Sequence, residues 1–161
     1  MKEYRPEITI PKSTLHKIAN AVGYGVFIVG ILYSIVNLPT LPSEVPIHFN
    51  FAGEADGWGS KYVLLLLPFI GIVTVLALEA VEKRPHMHNY PHYVNEANVR
   101  QFYAVSVRTM NLVKNGMLLT FGLVQTEIVQ SAKEAQFTFG ATLVGIIVVV
   151  LFVPIVWHLY S

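Results

Sequence analysis

Apolar residues in this chain come in long blocks rather than short periodic runs. Four blocks stand out, at about 18–38, 62–81, 107–128 and 138–159. Each matches the ~20 apolar helical residues needed to cross a hydrocarbon core ~30 Å thick. The third, "VRTMNLVKNGMLLTFGLVQTEI", is the least apolar. The first exceeds a signal-peptide apolar core in length and has no small-residue cleavage site followed by a soluble domain, so it reads as a retained span. The pattern predicts an all-α integral membrane protein with four transmembrane helices in one domain, residues 1–161. A structured loop at 39–61 joins the first two helices, and a polar segment at 82–106 joins the second and third.

Composition supports this reading. The chain is 53% hydrophobic and 13% charged, with a mean hydropathy of +0.52; soluble domains average about 25% charged residues. The net charge of +1 points to no nucleic-acid partner, and with no cysteine there is neither a disulfide nor a thiolate metal site. Of the eleven Lys and Arg residues, nine lie at Lys2, Arg5, Lys12 and Lys17 or at Lys83, Arg84, Arg100, Arg108 and Lys114; Lys61 and Lys133 are the other two. Basic residues concentrate on cytoplasmic connections. Both termini and the 82–106 segment are therefore expected in the cytoplasm, and the 39–61 loop outside a bacterial inner membrane. Trp58 and Tyr62, and Trp157 and Tyr160, fit aromatic anchors at headgroup depth.

Small residues let membrane helices approach closely. In the first span Ala19 with Gly23, and Ala21 with Gly25, are so spaced; Gly140 and Gly145 lie in the fourth. Pro68 and Pro154 are positioned to kink their helices. Asn95 is a candidate N-cap for a long third helix reaching out of the membrane. On that helix Val99, Phe102, Ser106, Met110, Val113 and Met117 read as one face, and Arg100, Arg108, Asn111 and Asn115 as another. Glu79 falls level with Lys114 and Arg108, which predicts a structural ion pair; a proton relay and independent snorkelling are the alternatives.

The outer loop holds the densest candidate chemistry. "IHFNF" alternates like a strand and "GEADGWGS" is rich in turn signals. His48, Asn50, Glu54 and Asp56 offer nitrogen and oxygen ligands, yet their spacing matches no zinc or calcium signature. One reading has Asp56 closing an Asx-turn, with His48 and Asn50 tying the loop to itself; another makes the loop a surface for an external ligand. Ser60 is a candidate N-cap for the second helix. On the inner side His86, His88 and His92 cluster, but Pro85 and Pro91 break any helix that could present them together. No nucleophile elbow, zinc-protease helix or phosphate loop is present, so no catalytic residue, metal or cofactor is assigned.

Two stretches together resemble a bacterial membrane family, the domain of unknown function 1648. "LPSEVPIHFNFAGEADGWGSK" is similar to its signature loop through Leu41, Pro42, Val45, Pro46, His48, Phe49, Asn50, Gly53, Asp56, Gly59, Ser60 and Lys61. "PHMHNYPHYVNEANVRQFY" is similar to its cytoplasmic segment through Asn89, Tyr90, Pro91, Glu96, Asn98, Arg100 and Gln101. The same domain occurs in larger Sdp-type immunity proteins, which protect a bacterium from a secreted toxin and signal its presence. With these two motifs on opposite faces of the bilayer, joined directly by the second span, the expected function is a non-enzymatic sensing, immunity or partner-binding module that meets an external peptide, lipid or protein at the 39–61 loop. The alternatives are an oligomeric transporter or channel component and a metal-dependent membrane enzyme using His48 and Asp56. The expected partners are the lipid bilayer, a peptide or protein at the loop, and a second copy of the chain.

Overall fold

The computed structural model describes residues 4–50, 52–90 and 93–134, with single positions at 145, 148, 149, 152, 153 and 156. The expected fourth span at 138–159, with Gly140, Pro154, Trp157 and Tyr160, otherwise lies outside the described residues, as do Lys2, Pro91 and His92. The described chain is mostly helical: α1 (Thr14–Asn37), α2 (Leu66–Glu82) and α3 (Val99–Glu134). Two segments, Thr14–Thr40 and Lys61–Glu82, are long and apolar enough to cross a membrane.

The fold is not all-α. Strands β1 (Glu44–Phe49) and β2 (Ala55–Ser60) form an antiparallel hairpin between α1 and α2. Glu44 faces Ser60, Pro46 faces Trp58 and His48 faces Gly57. The register slips once on either side of His48, making Ile47 an extra residue on β1 and Asp56 one on β2. Two compensating bulges keep the strands paired while turning both residues out of the ladder. The loop's prolines do not oppose this: Pro46 tolerates extended backbone, and a two-stranded sheet has only edge strands.

Local chemistry sets each helix start. Ser13 caps α1: its hydroxyl accepts from the His16 amide, and its own amide donates to His16 Nδ1 at 2.9 Å. Ser60 accepts from the Tyr62 amide at the head of a short 3-10 turn, Lys61–Leu65, leading into α2. Pro68 produces no interior break, because it sits in the first turn of α2, where a missing amide leaves no hydrogen bond unmade. Asn95 Oδ1 accepts from the Ala97 and Asn98 amides at 2.9 and 3.2 Å, in the turn preceding α3. At ~1.5 Å per residue, the 36 residues of α3 span about 54 Å, well beyond a hydrocarbon core.

The three helices pack with α3 against both others. Pairings Gly23–Asn115, Gly30–Gly122 and Asn37–Lys133 show α1 and α3 running parallel. Pairings Glu82–Lys114, Gly71–Phe121 and Leu64–Gln125 show α2 running antiparallel to α3. Large apolar side chains of α1 and α2 point outward, with Val36 74%, Val29 63% and Phe69 64% exposed. The groups buried along α3 include Asn111, Lys114, Asn115 and Gln125. Apolar outside and polar inside reverses the water-soluble arrangement and suits a lipid surround.

This corrects the expected faces of α3. Asn111 and Asn115 are buried while Arg100 and Arg108 are exposed, so the polar positions expected to share one face divide between interior and surface. Inter-helix hydrogen bonding, rather than polarity as such, decides which of them turn inward. The expected glycine pairs also divide. Gly23 lies against Asn115, whereas Gly25 faces open space. The closest backbone-to-backbone approach is Gly30 with Gly122, where a β-carbon on Gly122 would stand 2.6 Å from the Val26 carbonyl oxygen.

Gly122→Ala is therefore expected to lower the thermal midpoint in detergent, through an overpacking cost of about 1–3 kcal/mol. Gly25→Ala, in the same membrane-facing helix pair, should leave it unchanged. Equal melting of the two variants would contradict this packing.

Candidate functional site

At one end of the helices the hairpin is tied down through its own side chains. Asn50 Oδ1 accepts from the Ala52 and Glu54 amides at 2.9 and 3.0 Å, while Asn50 Nδ2 donates to Glu54 Oε2 at 3.0 Å. The turn closes with the Gly53 amide on the Asn50 carbonyl, and Gly53 has φ 82°, a conformation that favours glycine. The Asx-turn expected of Asp56 is thus made by Asn50. The bulge on β2 carries Asp56 to the outer side, where its carboxylate pairs with His48 Nδ1. Both side chains are largely exposed, and such pairs contribute ~0–1 kcal/mol. Lys61 Nζ donates to the Leu41 carbonyl at 3.1 Å, closing the loop's base.

Beneath the hairpin, buried Val45, Leu41 and Leu64 join Ile128, Val129 and Ala132 of α3 in one apolar cluster. Pro46 is fully buried. Between the hairpin, α2 and α3 lies a half-open apolar cavity of about 220 Å³, walled by residues including Ile47, Phe49, Leu67, Val124 and Ile128. Trp58 and Tyr62 are exposed around this end.

A buried ionic cluster occupies the other end of the helix bundle. Lys114 is fully buried, and its Nζ donates to Glu82 Oε2 at 2.8 Å and Glu79 Oε1 at 3.4 Å. Tyr24 donates to Glu79 Oε1 at 3.0 Å. Asn111 Nδ2 donates to Glu82 Oε1 at 3.1 Å and to Asn20 Oδ1 at 3.0 Å; Asn115 Nδ2 donates to Asn20 Oδ1 at 2.8 Å. Lys12 approaches Glu82 Oε1 at 3.9 Å from the N-terminal strand of chain. All three helices therefore meet in one polar network. Sequence reasoning placed Glu79 beside Lys114 but missed Glu82, which is only 4% exposed, along with Asn20 and Tyr24. The i, i+3 spacing of Glu79 and Glu82, matching Asn111 and Lys114, was the available signal.

Residues 4–12 strap the second motif. Arg5 donates to the His86 and His88 carbonyls at 3.3 and 2.6 Å and lies over the Tyr90 ring. Tyr90 stacks on Tyr103 and donates to the Pro85 carbonyl at 2.7 Å; burial pushes its phenol up to about 12. His88 is held between Ser106 and the Val81 carbonyl, while His86 faces Glu7 at 3.8 Å, so the two rings do not converge. Asn98 bonds the Asn95 amide and the Tyr93 carbonyl. Asn89, Glu96, Arg100 and Gln101 are exposed.

Residues 25–72 match the family model described as a domain of unknown function (DUF1648). This stretch is similar to a DUF1648 domain. It comprises the latter part of α1, the whole hairpin and the opening of α2. An uncharacterised protein of Archaeoglobus fulgidus is 34% identical over 79 residues, covering 44% of this chain and 43% of that protein. The chain thus spans less than half of this archaeal relative. No solved structure matches. The matched segment contains the self-tied hairpin but stops short of Glu79, Glu82 and Lys114.

Two outcomes follow from the geometry. Asn50→Ala should destabilise the matched segment more than Asp56→Ala, because it removes the acceptor for two turn amides, at about 0.5–1.5 kcal/mol per bond. Urea titration monitored at Trp58 would rank the pair, and a larger loss in Asp56→Ala would refute the assignment. At the other end, Glu82→Ala leaves the buried Lys114 ammonium only its longer contact to Glu79, at a cost approaching the ~3–5 kcal/mol of a broken buried ion pair. Glu79→Ala leaves Lys114 its shorter bond and should cost clearly less. Melting curves in detergent compare the two.

Proposed function

We propose that this protein is a non-enzymatic, multi-pass membrane module that recognises an external apolar or amphipathic ligand at its hairpin end. The observation that carries the proposal is the half-open apolar cavity of about 220 Å³ under the hairpin. Its polar framework of Asn50, Glu54 and Lys61 is consumed in holding the hairpin's own shape. What the hairpin leaves to a visitor is greasy surface: Ile47 at 48% exposure, with Trp58 and Tyr62 nearby. Binding pockets of this type are mostly apolar with few polar groups.

The basic residues set the orientation in this reading. Lys12, Lys17, Lys83 and Arg84 lie at the end opposite the hairpin and face the cytoplasm. The hairpin then faces outward and α3 connects it mechanically to the strapped Arg5–Tyr90 end. A sensing or immunity role, as in the Sdp-type proteins that the sequence resembles, fits a module with a ligand end and a cytoplasmic end.

One labelling experiment tests orientation and binding together. The chain has no cysteine, so Ile47→Cys gives a single site for an impermeant, environment-sensitive dye. Intact cells should label Ile47→Cys and leave Arg100→Cys unlabelled. Secreted peptides from the source organism should then produce a saturable blue shift, lost when Leu67→Trp fills the cavity. Labelling of Arg100→Cys, or a response indifferent to the filled cavity, contradicts the reading.

A further inference from the structure

The hairpin cavity has a counterpart at the other end of α2. A cavity of about 350 Å³ lies between the N-terminal strap and the end of α2, with Thr9, Lys12, Lys83 and Pro85 in its walls and Glu82 also lining it. That volume corresponds to on the order of ten water molecules at ~30 Å³ each, room for a phosphate and its glycerol. We infer that this vestibule binds the headgroup of an anionic phospholipid.

Three observations carry the inference. The first is depth. Glu82 ends both α2 and the membrane-length segment Lys61–Glu82, and Lys83 is the C-cap, so the cavity sits where a spanning helix leaves the hydrocarbon. The second is charge. Lys12 and Lys83 both line the cavity, and Arg84 follows directly in the chain. The cavity's carboxylate is already answered. Glu82 Oε2 takes the buried Lys114 ammonium, and Oε1 takes Asn111. Lys12 is 3.9 Å from Glu82, too long for a hydrogen bond, and 43% exposed, so its ammonium has donors to spare. The third is lining. Ile10, Pro11, Pro85 and Val107 make the remaining wall apolar, which suits the glycerol and the first acyl carbons and not a fully hydrated ion. Basic pockets between helices on the cytoplasmic side recognise acidic headgroups by this combination.

The whole chain, purified in a neutral detergent, is titrated with short-chain phosphatidylglycerol, phosphatidylcholine or inorganic phosphate and read by native mass spectrometry. One phosphatidylglycerol should be retained in preference to phosphatidylcholine. The double variant Lys12→Gln/Lys83→Gln should weaken it about twenty-five-fold, at about fivefold per lysine, with phosphatidylcholine adducts unchanged. Lys12→Arg/Lys83→Arg should retain binding, which separates lost charge from lost folding. Equal retention of the two lipids overturns the inference. An equal loss in Lys17→Gln, a residue outside the cavity, overturns it in favour of diffuse attraction. Full competition by inorganic phosphate overturns the lipid assignment in favour of a free anion.

Discussion

The bond from Lys114 to Glu82 organises the described structure. A fully buried ammonium tolerates few surroundings, and here it meets two carboxylates from successive turns of α2. That requirement fixes the rotation and depth of α3 against α2. Asn111, three residues before Lys114, and Asn115, the residue after it, then reach Asn20 and fix α1 as well. Farther along, Gly30 and Gly122 let the α1 and α3 backbones touch, a contact that any side chain there would prevent. Polar bonding sets the register at one end and steric fit holds it in the middle.

The hairpin closes the other end by a different means. Val45 joins the apolar cluster around Leu64 and Ile128, and the neighbouring Pro46 is also fully buried. Gln125 adds one polar stitch, donating to the Leu64 carbonyl at 2.9 Å where the 3-10 turn leaves it available. The two ends thus differ in kind: one is an ionic knot beneath a strapped segment, and the other an apolar seat beneath a small sheet.

Much of this was legible in the sequence. Long apolar blocks announce α1 and α2, and the turn-rich stretch between them announces a compact loop. The loop's strands were harder to read, because β2 is "ADGWGS", a poor strand by propensity that forms only by pairing with β1. The same pairing misled the reading of Asp56. A turn-type residue beside glycine suggests an Asx-turn, but two bulges moved that task to Asn50 and left Asp56 to His48. Glu82 escaped notice because it lies just beyond the apolar block, although the fold buries it more deeply than Glu79. Polarity along α3 was visible, but not which polar groups turn inward, since that depends on partners on α1 and α2.

The polar face of α3 also dictates an order of assembly. A segment bearing Asn111, Lys114, Asn115 and Gln125 partitions poorly into lipid by itself, at a cost of ~2.5–3.5 kcal/mol for the lysine at a helix centre. The two helices that supply its partners, through Asn20, Tyr24, Glu79 and Glu82, precede it in the chain and are apolar enough to enter first. During synthesis the ribosome therefore delivers the receiving surfaces before the helix that needs them. Packing of α3 is then the docking of one chain segment onto surfaces that the two earlier helices already present.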